Sequence, residues 1–167
     1  KGSPGWLLQT FCESAFTFQI TVDPFATQDF IALPSAANPT ISMVPGNPAN
    51  WKAVLPTLRR PGQEFRLSIK GDDRWGNPSN RLTGKLKLKT NLPVTGLAEI
   101  IDLKAGDFGF VIEGLSVESS GVLHLTVLDE NDQLIATANP LVIRQTDAAH
   151  FWSDMHAQSG ETIGVGT

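Results

Sequence analysis

Glu64-Phe65-Arg66-Leu67-Ser68-Ile69-Lys70 is the stretch that decides the fold class. Phe65, Leu67 and Ile69 alternate with Arg66, Ser68 and Lys70. A period of two places the apolar set on one face of an extended strand and the polar set on the other. A strand with one apolar face needs a second layer to cover it. Turn chemistry bounds the stretch on both sides. Arg60-Pro61-Gly62 precedes it, and the loop Asp72-Asp73-Arg74-Trp75-Gly76-Asn77-Pro78 follows.

The same pattern repeats downstream. Residues 82–90 place Leu82, Leu86 and Leu88 on one face, and Asn91-Leu92-Pro93 closes that strand. Strands are expected over 98–103 and over 108–115, the latter with Phe108, Phe110 and Ile112 inward. Residues 122–128 and 133–138 predict a hairpin around Glu130-Asn131-Asp132. Asn139-Pro140 interrupts it, and Leu141-Val142-Ile143 gives a last short strand. Upstream, 51–55 reads as a strand. Residues 41–44 give a shorter one, stopped by Pro45-Gly46-Asn47-Pro48. Residues 16–22 alternate strictly, with Phe16, Phe18, Ile20 and Val22 on one face, and Asp23-Pro24 ends them. Pro24, Pro34 and Pro39 make 24–40 an irregular connection. No amphipathic helix of ten or more residues is visible.

Short strands separated by turn signals every ~8–12 residues are the signature of a β-sandwich. The expected chain is all-β. An immunoglobulin-like β-sandwich covers 48–145, preceded by an N-terminal extension (1–47) with one or two strands. Residues 146–167 are read as a linker and the first strand and turn of a truncated following domain. Cys12 is the only cysteine, so no internal disulfide and no cysteine-based zinc site can form. The sandwich would be a cysteine-free bacterial-type variant, with Cys12 a small buried hydrophobe.

Composition narrows the function classes. With 41% hydrophobic and 18% charged residues over 167 positions, the chain can bury a sizeable core. A formal charge of -4 argues against nucleic acid or an anionic membrane as partner. No run approaches the ~18 apolar residues of a membrane-spanning helix. Lys85, Lys87 and Lys89 stand at strand spacing and read as a solvated face. Lys1-Gly2-Ser3-Pro4 lacks an initiating methionine and a signal-peptide pattern, so both ends are expected to be cut. The compartment stays open.

Few residues carry candidate chemistry. Asp72, Asp73 and Asn77 could supply clustered oxygens to calcium, but Gly76 and Pro78 favour a turn capped by Asx side chains. Counted from Asp129 as an EF-hand loop, positions six and twelve are Leu134 and Pro140, which rules that motif out. His124 lies alone in an alternating strand and reads as structural. No nucleophile elbow, phosphate loop or dinucleotide fingerprint is present. Trp51 and Trp75 could be stacking platforms or core indoles.

The remaining cluster is His150-Phe151-Trp152-Ser153-Asp154-Met155-His156-Ala157-Gln158-Ser159-Gly160-Glu161-Thr162-Ile163-Gly164. Asp154 and His156, at i and i+2 on an extended chain, project to the same side. A neutral imidazole beside a carboxylate can bind a metal. On spacing alone, one histidine and one aspartate describe an exposed tail better than a site.

This segment resembles the opening of the catalytic-type domain of a large bacterial protein family of unassigned function. That domain is similar to the PHP phosphoesterases and, more distantly, to metal-dependent amidohydrolases. Upstream, Val22-Asp23-Pro24-Phe25, Arg60-Pro61-Gly62 with Glu64-Phe65-Arg66-Leu67, Asp73-Arg74-Trp75-Gly76-Asn77-Pro78 and Ala136-Thr137-Ala138-Asn139-Pro140 resemble the same family. The resemblance covers most of 16–164. It implies that Asp154-Met155-His156 matches the first half of the PHP motif Asp-Leu-His-x-His-Thr, with Gln158 where the second metal-binding histidine would stand. The implied metal ligand is His156, with Asp154 beside it, and both would serve only in a longer parent chain holding a divalent metal. The implied partner is a C-terminal PHP-like domain absent from these 167 residues. The fragment itself is then expected to need no cofactor and to catalyse nothing. An alternative is a surface adhesion or carbohydrate-binding sandwich.

Overall fold

The computed structural model describes residues 8–146. They are all-β, with no α-helix among the described residues. In chain order the strands are β1 (Glu13–Thr17), β2 (Thr21–Val22), β3 (Ile31–Ala32), β4 (Thr40–Met43), β5 (Asn50–Val54), β6 (Leu58–Arg59) and β7 (Phe65–Asp72). Then come β8 (Lys85–Thr90), β9 (Ile100–Asp102), β10 (Phe110–Leu115), β11 (Gly121–Leu123), β12 (Leu125–Leu128), β13 (Leu134–Thr137) and β14 (Leu141–Ile143). A 3₁₀ turn, Ser35–Ala37, interrupts the run from β3 to β4.

From residue 50 onward the strands form several sheets compatible with a β-sandwich. One sheet has the order β10-β7-β5, antiparallel throughout. A second has the order β13-β12-β8-β9. A third, β11-β14-β6, includes a parallel pair in which Val142 faces Leu58. The alternation read in 64–70 is realised in β7, where Phe65, Leu67 and Ile69 are buried and Arg66 and Lys70 are exposed. They share one core with Leu86 and Leu88 of β8, Leu123, Leu125 and Val127 of β11 and β12, and Leu141 and Ile143 of β14. Each large aliphatic side chain fully buried there contributes about 1.5–3 kcal/mol of hydrophobic stabilisation.

Two irregularities let the chain pass from one sheet to the next. Pro56 follows β5 and Pro140 precedes β14, and neither can donate to a ladder. At this level Asn139 replaces the missing backbone pairing. Its Oδ1 accepts from Leu55 N–H (2.9 Å), and its Nδ2 donates to Leu55 O (2.8 Å). The strand expected over 122–128 likewise breaks at His124, because β11 pairs with β14 whereas β12 pairs with β8 and β13. Asn91 bridges the break. It accepts from His124 N–H through Oδ1 (2.7 Å) and donates to Val122 O through Nδ2 (2.9 Å).

Residues 10–46 form a separate ribbon, referred to below as the arm. β1 pairs with β4 and β2 with β3, both antiparallel. The continuous half-buried strand expected over 16–22 is thus two short strands. The return strand bends through the 3₁₀ turn, so Phe18 N–H bonds Pro39 O and Ile20 N–H bonds the Asn38 side chain. Phe16 and Phe18 are half-buried and meet edge to face at 5.0 Å. Ile20 and Val22, expected inward, are exposed because no second layer covers this face among the described residues. Phe108, also expected inward, lies before β10 and is 53% exposed.

Candidate functional site

The loop over 72–78, expected as a turn capped by Asx side chains in preference to a calcium site, is the joint between arm and sheets. Asp73 leaves the end of β7 and folds its carboxylate back over the turn. Oδ1 accepts from Trp75 N–H (2.8 Å) and Asn77 N–H (3.0 Å), and Oδ2 accepts from Gly46 N–H (3.1 Å). The Asn77 amide donates to both carboxylate oxygens. Burial alone would raise the Asp73 pKa, but these donors from Asn77, Gly46 and Trp75 outweigh it and hold the carboxyl at about 2. The turn needs Gly76 because its φ is +89°.

Asn77 and Ser79 reach onward to the arm. Asn77 Oδ1 accepts from Cys12 N–H (2.9 Å), and Asn77 Nδ2 donates to Thr10 O (2.8 Å). The buried Ser79 hydroxyl donates to Gly46 O (2.7 Å). Cys12 precedes β1 and Gly46 follows β4, so both ends of the arm are tied to one loop. Cys12 is half-buried at this joint, not buried in the core as expected. Beneath the joint, Gly71 admits the close approach of Pro48, since a Cβ there would lie 2.8 Å from the Pro48 Cβ.

Asp72 has a different role. It is 1% exposed and lies between two lysines, with Lys52 Nζ at 2.7 Å from Oδ2 and Lys70 Nζ at 3.2 Å from Oδ1. The second contact is an ion pair without hydrogen-bond alignment. Burial raises the Asp72 pKa, and the two ammonium groups more than offset it, so the net shift is downward. Asp72 and Asp73 therefore offer no free oxygen set to a cation.

The other candidates are also committed to local structure. Asp129 Oδ1 accepts from Asn131 and Gln133 N–H and closes the β12–β13 turn, where Asp132 adopts φ +63°. Lys87 pairs with Asp132 at 2.9 Å and Lys85 with Asp102 at 3.6 Å, so the lysine row is a solvated strand face as expected. His124 is exposed and contributes through its backbone. Among the described residues no group of three or more His, Cys, Asp or Glu side chains could hold a metal. Asp154, His156 and Gln158 lie outside the described residues.

The tryptophans separate. Trp51 packs against the core, whereas Trp75 is 57% exposed with the Arg74 guanidinium 4.5 Å over its ring. Trp75, Phe11, Met43 and Val44 line an open cleft of about 620 Å³ between the arm and the joint.

The far end of the arm is as specifically built as its root. Asp23 accepts from Phe25, Thr27 and Gln28 N–H, the last at 2.7 Å, and holds the 23–28 turn in which Ala26 and Gln28 have positive φ. The bond from Thr27 N–H is the largest influence lowering the Asp23 pKa. Beside this turn Phe25 is 81% exposed and Phe30 64%. The sequence sets 1–47 apart as an extension with one or two strands, but the ties of the arm to the joint through Gly46, Thr10 and Ser79 link residues far apart in the chain and leave no local signal. Its local signals are the alternation of 16–22, the Asp23-Pro24 stop and the Pro45-Gly46-Asn47-Pro48 turn. Compared with protein-family models and with curated proteins, the chain matches none.

Proposed function

We propose that residues 48–145 are an immunoglobulin-like sandwich acting as a non-catalytic module ahead of a PHP-like, metal-dependent hydrolase domain. The strand order supports the first half. The β10-β7-β5 and β13-β12-β8-β9 sheets contribute side chains to one core cluster, and the segment over 50–59 is split, β5 pairing with β7 and β6 running parallel to β14. The observation that carries the non-catalytic assignment is the commitment of the Asp72, Asp73, Asp129 and Asp132 carboxylates to lysines and backbone N–H groups. In this reading His156 and Asp154 belong to the following domain, where a bound metal would activate water.

Two measurements test it. Residues 1–145 alone should unfold cooperatively as a β-protein, and failure to do so removes the module. In a longer parent chain, His156→Ala should lower bound metal and any hydrolytic activity. If neither changes, the assignment of His156 is wrong.

A carbohydrate-binding sandwich is favoured by the exposure of Trp75, a platform on which a sugar face could stack. Retention on insoluble polysaccharides that Trp75→Ala abolishes would support that reading. Equal passage of both proteins would remove it.

A further inference from the structure

We propose that the arm is a docking element and that its partner is an apolar, basic-rimmed surface on the domain that follows residue 167. The inference rests on the reading of this chain as a module ahead of such a domain.

The arm carries an apolar face with nothing over it among the described residues. Val22, Ile31 and Ile41 on the paired strands and Ile20 just before β2 are all at least 37% exposed, and Phe25 and Phe30 stand clear at the turn. A two-stranded ribbon of this kind is marginal in water unless another surface packs on it. A contiguous exposed apolar patch marks an interaction surface. Both ends are nonetheless fixed, the root by Asn77 and Ser79 and the tip by Asp23. Fixed ends lower the ordering cost of binding.

Charge selects the partner. Between residues 8 and 51 the ionisable charges are Glu13, Asp23 and Asp29, with no lysine, arginine or histidine. A second copy of the arm would bring the same sign, as would an anionic bilayer, and like charges at close range are unfavourable. A surface with lysine or arginine around an apolar floor is complementary.

Connectivity permits the contact. β7 runs from the 60–63 turn to the joint, so its 8 residues separate the arm's root from Arg60 by about 25 Å. Arg60 Nε donates to Thr146 O, which places the end of β14 at that far side. Residues 147–167 can reach on the order of 70 Å when extended, so a domain beyond them can return to the arm. A tethered partner then meets it at a millimolar-scale effective concentration.

The test uses the longer chain with a photo-crosslinking phenylalanine analogue at Phe25, at Phe30 and, as a control, at Leu134 on the sheets. Positions 25 and 30 should cross-link to residues beyond 167, and position 134 should not. After cleavage within 147–167 the two halves should co-elute, and Phe25→Ser/Phe30→Ser should separate them while the urea midpoint of the sandwich holds. Cross-links confined to residues 1–167, or joining two chains, overturn the proposal. So does co-elution that survives the double substitution. The hydrolase reading fails separately, if the part beyond 167 binds no metal.

Discussion

Asp73 is held ionised by a ring of donors, and that fixes how the joint responds to acid. Its carboxyl titrates at about 2 in the folded chain against an ordinary value of 3.8. The unfolded chain therefore takes up that proton first. The stabilisation is complete above pH ~4 and is lost as the pH falls toward ~2. Asp23, Asp72 and Asp132 are shifted in the same direction and add to the same limb. Asp73→Asn places an NH₂ where Gly46 and Asn77 need an acceptor. Urea midpoints across pH 7 to 2.5 should show the variant weaker at neutral pH and less acid-sensitive than the parent. Parallel curves would remove Asp73 from the acid limb. At the β11–β12 break, His124→Ala should be nearly silent because only the backbone of His124 is used. Asn91→Ala removes two bonds across the break and should cost about 1–2 kcal/mol, read by the same denaturation.

The strands show where period-two patterning is reliable. In 64–70 and 85–90 both faces obey it, because an opposing sheet buries one side. In 16–22 the pattern is equally strict, yet Ile20 and Val22 are exposed. Alternation specifies which side can be buried, not whether anything lies against it. The breaks at His124 and at Asn139 were only half legible. Pro140 announces the second, but the first depends on Asn91, some thirty residues away in sequence. The joint is legible as a turn because Gly76 and Pro78 are local signals, while its ties to Thr10, Cys12 and Gly46 are not. The contrast predicts unequal mutational costs. Leu125→Ala, at 1% exposure in the core, should cost about 2–5 kcal/mol. Ile31→Ser, at 57% exposure on the arm, should stay within about 0.5 kcal/mol. A large loss from Ile31→Ser in the isolated 167-residue chain would mean that the arm already packs on something within it.

For the molecule as a whole, arm and sheets are coupled, among the described residues, through a few polar contacts instead of a shared core. Among the described residues, every member of the main apolar cluster falls between 51 and 143. The arm meets the rest through Asn77 with Thr10 and Cys12, and through Gly46 with Asp73 and Ser79. Hydrogen bonds of this kind stabilise by about 0.5–1.5 kcal/mol each. A small set of them can set the arm's direction without making it part of one cooperative unit. Two units joined this way should open at different free energies. Amides of β1 and β4 should exchange with solvent well before those of β7, β8 and β12. Asn77→Ala should speed exchange at Cys12 and along β1 while leaving β7 unchanged. Residues 48–146 without the arm should still unfold in one cooperative step, with the urea dependence of that step close to the full chain's because the arm's surface is not exposed in it. Uniform exchange across arm and sheets, or loss of cooperativity in the shortened chain, would show that the joint transmits more than orientation and that the arm stabilises the sheets it leaves.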